Sequence, residues 1–239
     1  MIKTINELVQ KAKDIETKKI VVACAADQHV LEAVELARVE NIVDPILVGD
    51  MNKIHSLMLE LSISPNDYEI IDETDKEKAC LLAVKLVSSN DGHFLMKGLV
   101  DTSIILKAAL NKEFGLRTQN RISHVSVMEV PTHHKLIFMS DGAMNIAPTL
   151  DEKRQIIENS VKIAHALGIE TPNVGVLGAV EKVNPKMEAT VDADALVSMN
   201  QEGIIKQCKV GGPFDLDNAI NKEAAILKKF NSPCLYLYI

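Results

Sequence analysis

The sequence predicts an α/β protein built on largely parallel sheets. Short apolar runs bounded by turn residues alternate with longer stretches of helical period, the signature of strands joined by crossover helices. The stretches between the runs are long enough for right-handed crossovers that cover both sheet faces. With 239 residues, 47% hydrophobic and 25% charged, the chain can bury one large core or two modest ones.

The opening "MIKTINELVQKAKDIETKK" reads as a charged amphipathic helix and not as a signal peptide, and no apolar run approaches membrane-spanning length. The expectation is a soluble cytoplasmic protein without a membrane partner. Strands are expected at Ile20 to Ala26, Asp44 to Asp50, Tyr68 to Asp72 and Gly92 to Gly98. Helices are expected between them, near Gln28 to Glu40, Asn52 to Leu61 and Asp75 to Val87, and then from Thr102 to Phe114. The rhythm changes at "HVSVMEVP" and "KLIFMSDG", which follow one another without a helix and suit direct antiparallel pairing. A long helix from Leu150 to Leu167, capped by Thr149 or Asp151, stops at Gly168. "NVGVLGAV" and "EGIIKQCKVGGPF" resume the strand pattern around a helix near Asp192 to Asn200, and Asp217 is a candidate cap for a final helix. The last residues, "CLYLYI", read as an apolar strand. A domain boundary is placed near Ala147 to Asp151, giving domains of 1–147 and 148–239.

A formal net charge of -7 argues against a nucleic-acid partner, so an anionic ligand must be met by locally clustered cations. Cys24, Cys80, Cys208 and Cys234 are far apart, with no CxxC pair and no Cys/His spacing of a zinc site, and the first three read as small core residues. His133 and His134 have no partner at metal spacing and are expected to be exposed, so no metal is expected. There is no GxGxxG after the first strand, no GxxxxGK[ST], no GxSxG and no HExxH. Rossmann, P-loop, serine-hydrolase and zincin chemistries therefore lack their usual evidence.

What remains is a set of strand-to-loop junctions, where ligands of open α/β sheets collect. In "MKGLVDTS", Gly98 permits close backbone approach, Asp101 or Thr102 can cap the next helix, and that helix's free N–H groups can receive a phosphate oxygen. Lys97 either adds a point charge there or simply snorkels to water. In "NKEFGLRTQNRISHVSV", Arg117 and Arg121, with Lys107 and Lys112 nearby, supply cations, and Ser123 and His124 stand where a strand begins. A solvated basic face and a merely packed histidine are the plainer alternatives. "SDGAMN" offers Asp141, Gly142 and Asn145 in what is also an ordinary turn, and "KVGGPFDLD" offers successive glycines, including Gly212, before Pro213.

Taken in order, "LEAVELA", "DPILVGD", "FLMKGLVDTS", "LNKEFGLRT", "SHVSVMEV", "SDGAMNIAPTL", "ALGIETP", "VNPKM" and "GPFDLDNAI" resemble the phosphate acetyltransferase/phosphate butyryltransferase family, nearer its butyryltransferase members. The likeness runs from about Ile20 to about Ala225. It implies two α/β domains of the isocitrate/isopropylmalate dehydrogenase-like kind, with an active-site cleft between them, usually in a homodimer. It implies reversible transfer of a short-chain acyl group between coenzyme A and phosphate, with both as substrates and with no metal or bound organic cofactor. By position, Lys97, Gly98 and Thr102 match the family's loop after the fourth strand, and Lys107 stands where relatives often carry arginine. Ser123 and His124 match the serine-containing strand start, and Asp141, Gly142 and Asn145 match the next site loop. Lys97, Lys107 and Arg117 would bind phosphate or the CoA phosphates, with Gly98, Thr102, Gly212 and Pro213 lining the substrate. Ser123, His124 and Asn145 would donate hydrogen bonds around the acyl phosphate, and the base for the CoA thiol would be Asp141 or a group beyond this chain's last residues. Gly211-Gly212-Pro213 departs from the family's Asp-Gly-Pro, and relatives continue past "NKEAA" for several dozen residues. A binding-only homologue, inactive or paired with a complete relative, is the second reading.

Overall fold

The structure is a computed structural model that describes residues 2–221. Cys234 and the expected terminal strand lie outside the described residues. Helix α1 (Ile5–Lys13) opens the chain, as its amphipathic pattern predicts. The chain divides into two compact units: residues 9–119, and residues up to Leu8 together with those from Asn120 onward.

In the unit of residues 9–119, β1 (Lys18–Ala23), β2 (Val43–Gly49), β3 (Glu69–Asp72) and β4 (Phe94–Lys97) form a parallel sheet in the order β3-β2-β1-β4. Helices α2 (Gln28–Val39), α3 (Met51–Glu60), α4 (Lys76–Ser88) and α5 (Thr102–Ala109) cover it. Side chains alternate across β1: Val21 and Ala23 join Ala83, Val84, Ile105 and Ala108 from α4 and α5. Ile20 and Val22 join Leu31, Val34, Ile54 and Met58 from α2 and α3. Burial on both faces explains why the central strands β1 and β2 read as apolar runs. Cys24 and Cys80 are buried in this core as free thiols with their sulfurs 4.0 Å apart, and Cys208 is buried in the other unit.

Aspartates start three of these helices. Asp27, Asp50 and Asp75 accept the backbone N–H groups of Val30, Lys53 and Lys78 at 3.1, 3.1 and 2.9 Å. Helix α5 is shorter than its apolar period predicts because Asn111 ends it. The Asn111 side chain accepts the N–H groups of Glu113 and Phe114 at 2.8 and 3.2 Å, and Leu116 N–H returns to the Ala109 carbonyl at 2.7 Å.

The second unit contains an antiparallel pair, β5 (Ser126–Met128) with β6 (Ile137–Met139), and a parallel pair, β7 (Asn173–Leu177) with β8 (Lys209–Phe214). Its helices are α6 (Leu150–Ala166), α7 (Glu188–Gln201) and α8 (Leu216–Ile220). The expected boundary after Ala147 differs from the observed division after Gln119. Leu136 and Phe138, in and beside β6, pack on Ala164 and Ile169, so the change of rhythm marks the start of this unit and not the end of the first.

Thr149, not Asp151, caps α6 through a reciprocal capping box with Glu152, while Asp151 accepts from Arg154 and Gln155. Helix α7 begins before the expected Asp192. "VNPKM" folds as the turn into it: Thr190 Oγ1 accepts the Asn184 N–H at 2.9 Å and donates toward the Asn184 and Met187 carbonyls. Asp215, not Asp217, caps α8. Asn200 joins α7 to β8, donating to the Ile205 and Cys208 carbonyls and accepting from Val210 N–H at 3.0 Å. Among the described residues no helix is long and apolar enough to cross a membrane.

Candidate active site

The candidate residues fall into two groups, one in each unit. In residues 9–119 Lys97 ends β4, Gly98 begins the loop after it and Thr102 opens α5. The Lys97 ammonium donates to the carbonyls of Gly98 at 3.3 Å and Val100 at 3.0 Å, which pins an exposed side chain to the loop. An ammonium carries three hydrogens, so one is left for an anion. Asp101 begins α5 but, unlike Asp27, Asp50 and Asp75, makes no side-chain cap bond. The first N–H groups of α5 therefore lack the cap that the other three helices carry.

The close backbone approach expected at Gly98 is present, and it is made by the protein's own chain. A Cβ there would lie 2.2 Å from the Cys24 carbonyl oxygen and 2.7 Å from that of Ala23, so the backbone that approaches closely is β1 and the loop beyond it. Lys107 lies in the last turn of α5 and pairs with Glu77 at 3.6 Å, both side chains mostly exposed. Arg117 is exposed and makes no ion pair among the described residues. A cavity of about 390 Å³ opens near the amino ends of the strands, beside Lys19, Glu69, Asp91 and His93. None of the candidate residues lines it.

In the second unit Ser123, His124, Asp141 and Asn145 come together. Asp141 accepts the N–H groups of Ala143 and Met144, each at 2.9 Å, on one oxygen, and those of His124 at 3.1 Å and the Asn145 amide on the other. Burial alone would raise its pKa, but these four donors outweigh it and hold the carboxyl at about 2. A carboxylate so weakly basic and so fully hydrogen-bonded organises the loop and is a poor proton acceptor. Ser140 Oγ donates to the His124 carbonyl at 2.7 Å, so the two strand-end segments are stitched from both sides. His124 Nδ1 is buried without a hydrogen-bond partner.

Asn145 also donates to the Ile122 carbonyl at 3.0 Å and accepts from Arg121 Nε. Arg121 reaches Glu152 of α6 through Nη1, while Gln155 accepts the Arg121 N–H at 2.7 Å. Asn159 donates to the Arg121 carbonyl and to Ser123 Oγ, both at 2.9 Å. One face of α6 thus grips residues 120–123. The sequence reading did not include Glu152, Gln155 and Asn159, although their spacing of three and four places them on one helix face, a usable signal.

Gly212 and Pro213 lie within β8. A Cβ on Gly212, whose φ is +150°, would meet the Val176 carbonyl oxygen at 2.7 Å, so here too a neighbouring strand requires the glycine. The expectation that His133 and His134 are exposed holds only for His134. His133 is half-buried with its pKa lowered by desolvation first and by His134 and Lys135 next, and its ring lies 4.8 Å from that of His134.

The fold is that of the parallel α/β class, whose ligand sites form outside the carboxyl ends of strands. Within that class the sequence matches the family described as Phosphate acetyl/butaryl transferase over residues 3–80 and 76–234. It is 49% identical over 225 residues to a phosphate butyryltransferase of Clostridium acetobutylicum, covering 94% of this chain and 75% of that one. It is 43% identical to a phosphate acetyltransferase of Thermotoga maritima, covering 96% and 77% of the two chains. The crystal structure of a branched-chain phosphotransacylase from Enterococcus faecalis V583 superposes with a TM-score of 0.79 at 28% identity, over 93% of this chain and 76% of that one. The chain belongs to the phosphate acetyl/butyryl transferase family.

Proposed function

We propose that this protein transfers a short-chain acyl group, butyryl in preference to acetyl, between coenzyme A and phosphate. The observation that carries the reading is the likeness to phosphate butyryltransferases along nearly the whole chain, 49% and 48% identical over 225 residues. In the direction of acyl phosphate formation, a phosphate oxygen attacks the thioester carbonyl. A tetrahedral oxyanion forms, the C–S bond breaks, and CoA leaves as its thiolate. Lys97 supplies a fixed cation for a phosphate group, and Ser123 and the His124 ring stand beside the acyl phosphate, while Asn145, both of whose amide hydrogens go to the Ile122 carbonyl and Asp141, holds the loop and does not donate to the substrate as expected. Lys107 and Arg117, both exposed, suit the diffuse negative charge of the CoA phosphates. Asp141 keeps these loops in place and takes no part in proton transfer. CoA and phosphate are the only small molecules the reaction requires, and the working unit is a homodimer.

The test is release of CoA from butyryl-CoA and inorganic phosphate, followed by a thiol reagent, with acetyl-CoA in parallel. Turnover with a higher kcat/KM for butyryl-CoA is expected. Absence of turnover from folded protein rejects the reading, and CoA binding without turnover would favour a binding-only homologue.

A further inference from the structure

The family likeness gave Asn159 no role, yet its contacts dictate what Ser123 can do. The Asn159 amide nitrogen has two hydrogens, and both are used: one goes to the Arg121 carbonyl and the other to Ser123 Oγ, each at 2.9 Å. Its carbonyl oxygen accepts from the Asn120 amide at 3.3 Å. The orientation of the amide follows from chemistry, because the Arg121 carbonyl is an acceptor only and must face the NH2 group. An NH2 group cannot accept a hydrogen bond. Ser123 Oγ must therefore be the acceptor in this pair, and its own hydrogen is directed elsewhere. Asn159 is the side chain that Ser123 Oγ meets among the described residues, and in that bond the serine accepts.

We propose that Asn159 is a positioning residue that commits the Ser123 hydroxyl to donate its hydrogen to a phosphoryl oxygen. The inference rests on the reading that Ser123 faces phosphate. It adds the direction of the hydrogen bond and the residue that imposes it. A serine hydroxyl free to rotate presents a lone pair to an anion as readily as a hydrogen. With Asn159 occupying a lone pair, that repulsive arrangement is suppressed.

The test is a double-mutant cycle on the full chain, with inorganic phosphate binding measured by titration calorimetry and stability by thermal unfolding. S123A is expected to weaken phosphate binding roughly tenfold, the loss of one hydrogen bond to a charged group. N159A should weaken it several-fold in the wild-type background and leave it unchanged in the S123A background. Its effect on the unfolding midpoint should persist in both, because the contact with Arg121 is lost either way, and be smaller in S123A, where the contact with Ser123 is already gone. That combination separates positioning from plain scaffolding. N159D, of nearly the same shape, replaces a donor with an acceptor and draws the Ser123 hydrogen inward. Its penalty in the wild-type background should exceed its penalty in S123A, which measures the added charge together with the lost Arg121 contact. Equal weakening by N159A or N159D in both backgrounds would overturn the proposal while leaving Ser123 at the phosphate. An unchanged phosphate affinity in S123A would overturn the placement of Ser123 itself, and the inference with it.

Discussion

Two charged residues define the strand-end loops, and they do so by opposite means. Lys97 is exposed, with two of its hydrogens held by carbonyls of its own loop, so it offers a fixed positive charge at little further entropic cost. Lys97→Met should raise the KM for phosphate roughly tenfold, the weight of a charge-assisted hydrogen bond, without comparable loss of kcat; steady-state kinetics with varied phosphate checks this. Asp141 works inward. Its folded pKa of about 2 lies below that of the unfolded chain, so its contribution to stability is complete above the unfolded pKa near 4. That contribution is lost as pH falls through the folded value. Asp141→Asn leaves donors facing donors and should cost about 1–3 kcal/mol at pH 7. The difference between wild type and variant, measured by urea unfolding, should shrink as pH falls below 4 and be largely lost by about pH 2. A difference that stays constant from pH 7 to pH 2 would show that the carboxylate charge is not what the four donors stabilise.

Helix α6 is the element on which the second unit's site is built. Its start is held by the Thr149–Glu152 capping box, its buried face carries Ile156, Ile157, Val161 and Ala164, and its polar face carries Glu152, Gln155 and Asn159. Glu152 serves twice, closing the cap through the Thr149 N–H at 2.8 Å and receiving Arg121. Thr149→Ala should therefore destabilise the protein by about 1 kcal/mol in urea titrations, the usual worth of a cap. It should also raise the amide exchange rates of residues 120–123, which an isolated loss of helix stability would not do. Helix α5 teaches the complementary lesson. Its apolar period continues beyond Ala109, and a single Asn111 side chain, bonding to the N–H groups of Glu113 and Phe114, ends the helix regardless.

At the scale of the molecule, each unit has its own core: Val21 with Val84 on one face of the four-stranded sheet and Val22 with Leu47 on the other, and Val174 and Val210 of the β7–β8 pair with Val161 and Leu196. Leu196 is 1% exposed, and Leu196→Ala should cost about 2–5 kcal/mol. Hydrogen exchange should place that loss in α6, α7, β7 and β8 and leave β1, β2 and β4 protected; uniform loss of protection would mean that the units unfold as one. The sequence by itself determined the parallel α/β class, the order of the strands and helices, and the family, because apolar runs of Val, Ile and Leu and motifs such as "KGLVDT" and "VNPKM" are local properties of the chain. It also brought forward Ser123, His124, Asp141 and Asn145, each beside a strand. Only the tertiary structure decided what those residues do. Whether a carboxylate is a base or an anchor depends on how many donors surround it, and Asp141 has four, drawn from His124 as well as from its own loop. Whether a glycine serves a ligand or a neighbouring strand depends on what stands opposite it, which for Gly98 is Cys24 and for Gly212 is Val176. Asn159 lies 36 residues from the serine it holds, and no local pattern records a contact made by folding.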